Sequence, residues 1–204
     1  MAAPPNKTIG NLGGKWVQNR DLSDSVEPAL AIQGINWLVR KAVTVCTVTL
    51  LVKQYVDDEG KTHIDIDQVA TGGVKGTSEK RIIDFQFREH SDWLFGPAKG
   101  QSKFVTPDEL RALVAEGSEA RTKGWVNDDF LAQGFIESAE EATAPEGKTF
   151  LYNHVESVGN GWTATQAWGF ELIGGERHYT RHVCVAKGDQ FASFKFVFDW
   201  NSEL

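Results

Sequence analysis

Three hydrogen-bond donors alternate along one predicted strand, Glu176–Lys187, near the end of the chain. Arg177, Tyr179 and Arg181 are two residues apart, and successive side chains of a strand point to opposite faces. Valines continue the same face, and because we expect valines in a core, all three donors are predicted to point inward. Guanidinium and phenol groups in an enclosed site can polarise a carbonyl oxygen, so these residues are candidate catalytic groups.

Two carboxylates form a second catalytic candidate on a predicted strand that covers residues 63–70. Asp65 and Asp67 share one face of this strand, whereas Ile64 and Ile66 share the other. Neighbouring carboxylates in an apolar cavity shift each other's pKa values, which suits acid/base catalysis. Either face can line a cavity, so a solvated pair without a catalytic role is the alternative.

Aromatic side chains supply the candidate walls of a binding site. The chain has seven Trp and twelve Phe, which suit either a dense core or a hydrophobic pocket. On the predicted strand 162–173, Gln166 shares a face with Trp162 and Trp168, and a buried amide must either pair with the backbone or bind a ligand. The predicted ligand-binding residues are Trp16, Trp37, Trp93, Gln166, Trp168 and Phe170.

The chain lacks the sequence motifs of several catalytic classes. It has no nucleophile elbow, phosphate-binding loop or dinucleotide fingerprint, which argues against covalent catalysis and nicotinamide chemistry. His178 and His182 share a strand face but are too far apart to bind one metal ion directly, and the sequence has no Cys/His cluster. We therefore predict neither a cofactor nor a metal site.

Net charge and hydropathy limit the partners. The formal charge is −7 and no run of Lys or Arg occurs, whereas nucleic-acid and anionic-membrane binding rest on basic patches. Residues 1–7 lack the apolar core of a signal peptide, and no apolar segment approaches the ~18 residues of a membrane span. We predict a cytoplasmic protein that binds neither nucleic acid nor membrane, with Cys46 and Cys184 as free thiols.

Alternating apolar segments indicate the strands that must position the candidate groups. After a first strand that contains Trp16, they cover residues 43–55, 63–70, 80–88, 92–105, 149–156, 162–173, 176–187 and 190–200. Gly174-Gly175 and Gly188-Asp189 suit two-residue hairpin turns, which makes the last three strands antiparallel neighbours. The expected fold is all-β, an antiparallel up-and-down lipocalin-like barrel of about nine or ten strands, and a two-sheet sandwich is the alternative.

Length favours a single domain. At 204 residues, the chain fits one barrel domain that covers residues 1–204. Residues 1–10 begin with an Ala/Pro-rich stretch and are predicted to be flexible. Residues 106–147 begin with a helix signal at Thr106 and end in an acidic, Ala-rich stretch, which predicts a surface excursion.

A broken helix is predicted between the first two strands. Asp24 is a candidate N-cap, and Pro28 suits the first turn of a helix. Gly34 interrupts the apolar pattern, and because glycine within a helix costs about 1 kcal/mol relative to alanine, we predict two short helices rather than one. We expect residues 25–41 to cover the mouth of the barrel as a helix-turn-helix lid.

The order of strand, broken helix and basic pair resembles the start of the intracellular fatty-acid-binding proteins and of other lipocalin-like barrels. The residues that carry this resemblance are Gly14, Trp16, Gly34, Arg40 and Lys41. The chain is also similar to small fungal lipocalin-like proteins through Gly34-x-x-Trp37-Leu38-x-Arg40-Lys41-Ala42 and His63-Ile64-Asp65-Ile66. The resemblance implies a barrel that encloses a hydrophobic small molecule, and some of these fungal proteins act as cofactor-free cyclases in natural-product pathways.

The resemblance also gives roles to the arginines of the predicted strand. Fatty-acid-binding proteins hold a carboxylate with an Arg-x-Tyr near the C-terminus, and Arg177-His178-Tyr179 resembles it, although here a further strand follows. In lipocalins an arginine from a late strand stacks across the first-strand tryptophan. Arg181 over Trp16 is therefore an alternative to ligand contact, and solvation is the alternative for Arg177.

Two functions are consistent with these features. In the first, the barrel binds a polyketide or terpenoid intermediate and catalyses a cofactor-free cyclisation, most simply a Diels–Alder or hetero-Diels–Alder cycloaddition, which a dehydration can precede. In the second, it carries fatty acids or other lipophilic molecules unchanged. Both need an enclosed apolar cavity with a few polar groups, and the expected partner is a hydrophobic small molecule. A homodimer is compatible with either function.

Overall fold

The computed structural model describes residues 1–116 and 129–204 of the chain. Ten strands form one antiparallel sheet, as predicted. They are β1 (Gly14–Gln18), β2 (Val48–Val56), β3 (Thr62–Ala70), β4 (Val74–Ile82), β5 (Arg88–Asp92), β6 (Gly96–Val105), β7 (Phe150–Ser157), β8 (Thr163–Ile173), β9 (Glu176–Lys187) and β10 (Gln190–Ser202). The helices are α1 (Glu27–Ile32), α2 (Trp37–Val45), α3 (Pro107–Glu116) and α4 (Asp129–Ala132), with 3-10 turns at Ala139–Glu141 and Pro145–Gly147.

The sheet curls into a nearly closed barrel, which confirms the predicted fold class. Its strand order is β4-β3-β2-β1-β10-β9-β8-β7-β6-β5, so β4 and β5 are its two edges. Across the gap between these edges, Arg81 of β4 donates a hydrogen bond to the Asn153 side chain of β7 at 2.5 Å. Edge strand β4 is therefore linked to β7 through the barrel interior, and no strand ladder joins β4 to β5 as far as the described strands extend.

The predicted strand 80–88 is wrong, because a turn divides it between β4 and β5. The carboxylate of Asp84 accepts hydrogen bonds from the Gln86 amide and from the Arg88 side chain. Phe85 adopts a positive φ of 58°, which a strand does not allow. Local hydrogen bonds from an aspartate thus override the alternating pattern of this segment.

The last three strands form the predicted meander. Gly174 and Gly175 connect β8 to β9 with φ values of 61° and 86°, a conformation that other residues rarely adopt. The resulting register pairs Trp168 with Arg181 across β8 and β9. This pairing sets the height of Arg181 within the barrel.

The predicted lid is confirmed as two helices that meet at Gly34, where φ is 81°. Ala29 and Leu30 of α1 are buried, and Arg40 of α2 donates a hydrogen bond to Glu27 of α1 at 2.9 Å. The N-cap predicted at Asp24 is wrong. Its carboxylate instead accepts the backbone N–H of Lys195, which ties the start of the lid to β10.

Residues 1–10 are packed against the barrel, contrary to the flexibility predicted for them. The carbonyl of Met1 accepts the backbone N–H of Trp200, and Ala3 and Ile9 belong to a buried cluster that also contains Trp16. The short apolar side chains of this segment close the end of the barrel opposite the lid. Burial of Ile9, which is 1 % exposed, stabilises this arrangement by about 2 kcal/mol.

The excursion 106–147 covers the outside of the barrel with its described residues up to Phe135, whereas Ile136 and Ala144 pack against the buried cluster that contains Trp16. Residues 117–128 lie outside the described residues. The first helix of the excursion begins at the predicted helix signal, where Thr106 and Glu109 exchange hydrogen bonds in a capping box. Leu110, Leu131 and Phe135 then pack against outward-facing residues of the barrel. The excursion therefore buries one outer face of the sheet.

The interior of the barrel has a filled half and an open half. The filled half, away from the lid, is packed with fully buried side chains such as Trp16, Leu50, Ile64, Trp168 and Phe170. The open half lies under α1, and its wall combines alanines and valines with Trp162 and Phe194. None of the described helices is long and apolar enough to cross a membrane.

Candidate active site

A cavity occupies the open half of the barrel. Together with the grooves that continue from it to outer-face residues such as His63 and Asp65, its volume is about 1240 Å³. The cavity reaches from the lid helices to the top of the filled half. Its apolar wall is formed by Val26, Ala29, Phe95, Ala98, Trp162, Ala164, Val183, Val185, Phe194 and Phe196.

Polar side chains from six strands form the floor of this cavity. We call them the polar layer: Gln68, Glu79, Arg81, Ser102, Asn153, Gln166 and Arg181. Arg81 donates to the Glu79 carboxylate at 2.6 Å and to the Asn153 amide oxygen. Gln68 donates to the second oxygen of Glu79 at 3.0 Å. The layer separates the filled half from the open half.

Glu79 is ionised within this layer. Burial alone would raise the pKa of its carboxyl, but the charges of Arg81 and Arg181 and the hydrogen bonds from Arg81 and Gln68 outweigh burial and hold the pKa below its ordinary value. Both carboxylate oxygens already accept hydrogen bonds. Glu79 therefore positions the two arginines.

Arg181 is the group of the layer that is available to a ligand. Arg181 is only 5 % exposed. Its Nε donates a hydrogen bond to the Tyr179 hydroxyl at 2.8 Å, and its guanidinium lies 3.7 Å from the centre of the Trp168 ring. The Nη1 atom is 3.9 Å from Glu79, whereas Nη2 is buried without a hydrogen-bond partner among the described residues. Arg181 lines the cavity, which makes its unpaired Nη2 the candidate donor to a bound molecule.

Tyr179 supports Arg181 from the filled half. Burial raises the pKa of its phenol to about 12, so the group keeps its proton at neutral pH. The phenol oxygen accepts from Arg181 and thereby orients the guanidinium. Within the described part of the layer, Arg81 and Arg181 are balanced by one carboxylate, Glu79, which leaves a net positive charge that favours oxygen atoms of a ligand.

The structure separates the three donors predicted on β9. Arg181 lies at the cavity floor, and Tyr179 lies next to it in the filled half, where it accepts the hydrogen bond from Arg181 Nε. Arg177 was predicted beside them, but it forms an ion pair with Glu141 at 2.6 Å and stacks on Phe170 at 3.7 Å. It lies on the predicted face but nearer the closed end, so it does not line the cavity. The alternation of side chains along a strand indicates which face a residue takes, but not how far along the barrel axis it lies.

The catalytic role predicted for Asp65 and Asp67 is not supported by their placement. Ile64 and Ile66 take the inner face of β3, where they are buried, so the two carboxylates take the outer face. Asp67 accepts a hydrogen bond from Ser78 of β4. Asp65 borders the cavity mouth and accepts a hydrogen bond from the exposed Tyr55 hydroxyl at 3.5 Å.

The predicted ligand-binding aromatics are divided by the polar layer. Trp16, Trp168 and Phe170 are wrong as wall residues, because they fill the closed half and are at most 1 % exposed. The predicted stack of Arg181 on Trp16 is replaced by its stack on Trp168. Trp37 is an exposed residue of α2, and Trp93 lies at the cavity rim. Gln166 lines the cavity, and its side-chain oxygen accepts a hydrogen bond from Trp168 Nε1.

Sequence reasoning missed Glu79, Arg81, Ser102 and Trp162 as site residues. They come from distant segments that only barrel closure brings together. Arg81 had a usable signal, because it shares its alternating face with Ile83 and is an arginine on an otherwise apolar face. Among the described residues no group of three His, Cys, Asp or Glu side chains is arranged to bind a metal ion, and Cys46 and Cys184 are free thiols, as predicted.

The strand order and the nearly closed barrel define a lipocalin-like β-barrel with the fold seen in fatty-acid-binding proteins. The solved structure of fatty-acid-binding protein 1 from Echinococcus granulosus matches with a TM-score of 0.54 at 9 % identity, over 94 % of this chain and 98 % of that protein. At this identity the match shows the shared fold alone. No family model matches the chain.

Two fungal relatives match the chain along its whole length. The probable pericyclase scpY of Mollisia scopiformis is 28 % identical over 98 % of this chain and 94 % of the relative. The pericyclase pydY of Acremonium sp. is 27 % identical over 98 % of this chain and 97 % of the relative. These matches confirm the predicted resemblance to small fungal lipocalin-like proteins of natural-product pathways.

Proposed function

We propose that the protein is a cofactor-independent pericyclase that cyclises a hydrophobic polyketide or terpenoid intermediate in its barrel. The observation that carries this proposal is Arg181, a buried charged donor whose Nη2 atom is left for a ligand at the floor of an apolar cavity. The full-length similarity to two proteins named as pericyclases supports the reaction class.

A Diels–Alder or hetero-Diels–Alder cycloaddition suits the polar layer. In this reaction a diene and an alkene or carbonyl exchange π bonds for two new σ bonds, without net gain or loss of protons or electrons. A hydrogen bond from Arg181 Nη2 to a carbonyl conjugated with the reacting double bond withdraws electron density from it. Such electrostatic donors in a buried site contribute about 3–4 kcal/mol to transition-state stabilisation.

The apolar wall supplies the other part of catalysis. Holding diene and partner in reacting distance removes entropy before the reaction, which is worth roughly 7–11 kcal/mol in the best intramolecular cases. Val183, Val185 and Phe194 offer a wall of fixed strand residues for this purpose. Their burial also keeps water away from an electrophilic diene.

We do not extend the proposal to a preceding dehydration. That step needs a base that can take a proton from the substrate. Glu79 is the carboxylate next to Arg181, but both of its oxygens accept hydrogen bonds from Arg81 and Gln68. Its role in the proposal is to position Arg181.

A carrier of lipophilic molecules is the second candidate. The observation in its favour is the fold shared with a fatty-acid-binding protein. A carrier and a pericyclase both bind the linear precursor, but only a pericyclase changes the rate and stereochemistry of its cyclisation. The two functions are therefore separated by product analysis.

The test is cyclisation of a synthetic linear polyene that carries a conjugated diene and an unsaturated carbonyl. We expect wild-type protein to raise the rate and to favour one stereoisomer over the mixture formed in buffer. Arg181→Met should lower kcat by about 100-fold. Arg177→Met is the matched control on the same strand face, and the folded fraction of this variant should retain wild-type kcat.

Two outcomes would contradict the proposal. Tight binding of the precursor with an unchanged rate and isomer ratio would assign the protein to the carrier class. Equal losses in Arg181→Met and Arg177→Met, measured per folded molecule by circular dichroism, would remove Arg181 from catalysis.

A further inference from the structure

A second hydrogen-bond donor lies at the lid end of the cavity. Trp162 directly precedes β8, is 3 % exposed and lines the cavity. Its indole N–H has no hydrogen-bond partner within residues 1–116 and 129–204. Buried tryptophan N–H groups usually find a partner, and leaving one unpaired costs about 1–3 kcal/mol.

The position of the Trp162 ring is fixed by its neighbours. Its backbone N–H donates to the Ser157 hydroxyl at 3.0 Å, and its carbonyl accepts the Ser157 N–H at 2.9 Å. The ring contacts Phe95 edge to face with 6.1 Å between centroids and packs with Ala29 of the lid. The ring is therefore held in place while its N–H has no acceptor among the described residues.

Trp162 and Arg181 are at opposite ends of the cavity. Trp168 is paired with Arg181 in the β8–β9 register, and Trp162 precedes Trp168 by six residues. At ~3.3 Å per residue this separation is about 20 Å between backbones. The wall between the two donors includes Ala164, Val183 and Val185, which offer a substrate only apolar contact.

We propose that the Trp162 indole N–H donates a hydrogen bond to a second oxygen of the substrate. This inference rests on the proposed function, in which Arg181 binds the first oxygen. The substrate class is then an apolar chain that carries an oxygen acceptor at each end. A neutral indole N–H suits a carbonyl, hydroxyl or ether oxygen at the lid end, whereas the positively charged layer suits a carboxylate, enolate or polarised carbonyl at the floor.

The test uses fatty acids as probes in isothermal titration calorimetry with the full chain. Octanoic, dodecanoic and hexadecanoic acid are each compared with the same acid carrying a ketone next to the terminal methyl group. We expect the ketone to raise affinity by about five-fold at the chain length that spans the two donors, which is the effect of one neutral hydrogen bond. No gain at any of the three lengths overturns the proposal.

Three variants assign the effect. Trp162→Phe keeps an aromatic ring but removes the N–H, so the ketone gain should disappear. The control Trp37→Phe, at an exposed tryptophan that does not line the cavity, should keep the gain. A gain that persists in Trp162→Phe overturns the proposal. Arg181→Met should lower the affinity for the fatty acid and for its ketone derivative by the same factor. Loss of carboxylate binding by Arg181 can therefore be distinguished from loss of the extra affinity that the ketone provides.

Discussion

Two neighbouring residues of β9 show how differently the two faces of one strand are used. Arg181 points into the barrel and His182 points out of it, and both are buried. On the outer face, His182 places one ring nitrogen 2.6 Å from the Phe130 carbonyl and the other against the Glu171 carboxylate. Lys195 completes the outer cluster with a 2.9 Å contact to the same carboxylate.

The outer cluster and Arg181 differ in how fully their polar atoms are paired, although the Thr180 hydroxyl on the outer face is also buried without a partner among the described residues. In the outer cluster, both nitrogens of His182 and both oxygens of Glu171 have partners. On the inner face, the described residues leave Arg181 Nη2 and Asn153 Nδ2 without partners. Fully paired buried polar groups stabilise a fold, whereas incomplete pairing beside a cavity leaves capacity for a ligand.

The largest effect is expected on the outer face, where Glu171→Leu should lower the free energy of unfolding by about 3 kcal/mol. The reason is that buried His182 and partly exposed Lys195 both lose their carboxylate partner. Urea denaturation measures this loss. Glu176→Leu, an exposed carboxylate on β9, is the control and should change stability by less than about 0.5 kcal/mol. A loss below about 1 kcal/mol in Glu171→Leu, or reduced kcat of its folded molecules, would break the division between the faces.

The pH dependence of stability should come in part from the outer cluster. Burial would raise the pKa of Glu171, but hydrogen bonds and charges from His182 and Lys195 outweigh it and lower the pKa below 4.5. A carboxylate with a lowered folded-state pKa stabilises the fold above its ordinary pKa, and this stability is lost as pH falls through the folded-state value.

We therefore expect the free energy of unfolding to fall as pH is lowered from neutral to about 3, and to fall less steeply in Glu171→Leu. Urea titrations at a series of pH values measure the two slopes. Equal slopes for wild type and Glu171→Leu would show that this carboxylate does not contribute.

The smallest effect is expected from Tyr179→Phe on the inner face. The change removes the oxygen that accepts from Arg181 Nε and keeps the ring packing, so kcat should fall about five-fold because the guanidinium is less well oriented. The cyclisation rate measures it, and stability should change little. Unaltered kcat would show that Glu79 and Trp168 orient Arg181 without the phenol.

Local patterns predicted most elements of the barrel, but not the turn between β4 and β5 or the helical start of the segment predicted as strand 43–55. The glycine pair at Gly174-Gly175 predicted the hairpin, Gly34 predicted the division of the lid, and period two correctly placed Tyr179 and Arg181 on the inner face. Each of these predictions depends on residues close in sequence. The same is true of the capping box at Thr106.

The site could not be predicted to the same extent, because its floor is made by long-range contacts. Arg81 reaches Asn153 across 72 positions of the chain, and no spacing rule connects them. Period two also cannot distinguish the filled half from the open half, which is why Trp168 was misplaced as a wall residue. Strand register and barrel closure decide which side chains share one height.

The central claim is that Arg181 polarises a carbonyl of the substrate, and infrared difference spectroscopy tests it most directly. The ligand is a precursor analogue with a ¹³C-labelled carbonyl. The double bonds of its diene are reduced to single bonds, so it cannot react. Polarisation by Arg181 predicts a carbonyl stretch at lower frequency in the wild-type complex than in water, and a return toward the unpolarised value in Arg181→Met. An unshifted carbonyl in saturated wild-type complex, or the same shift in Arg181→Met, would contradict the claim.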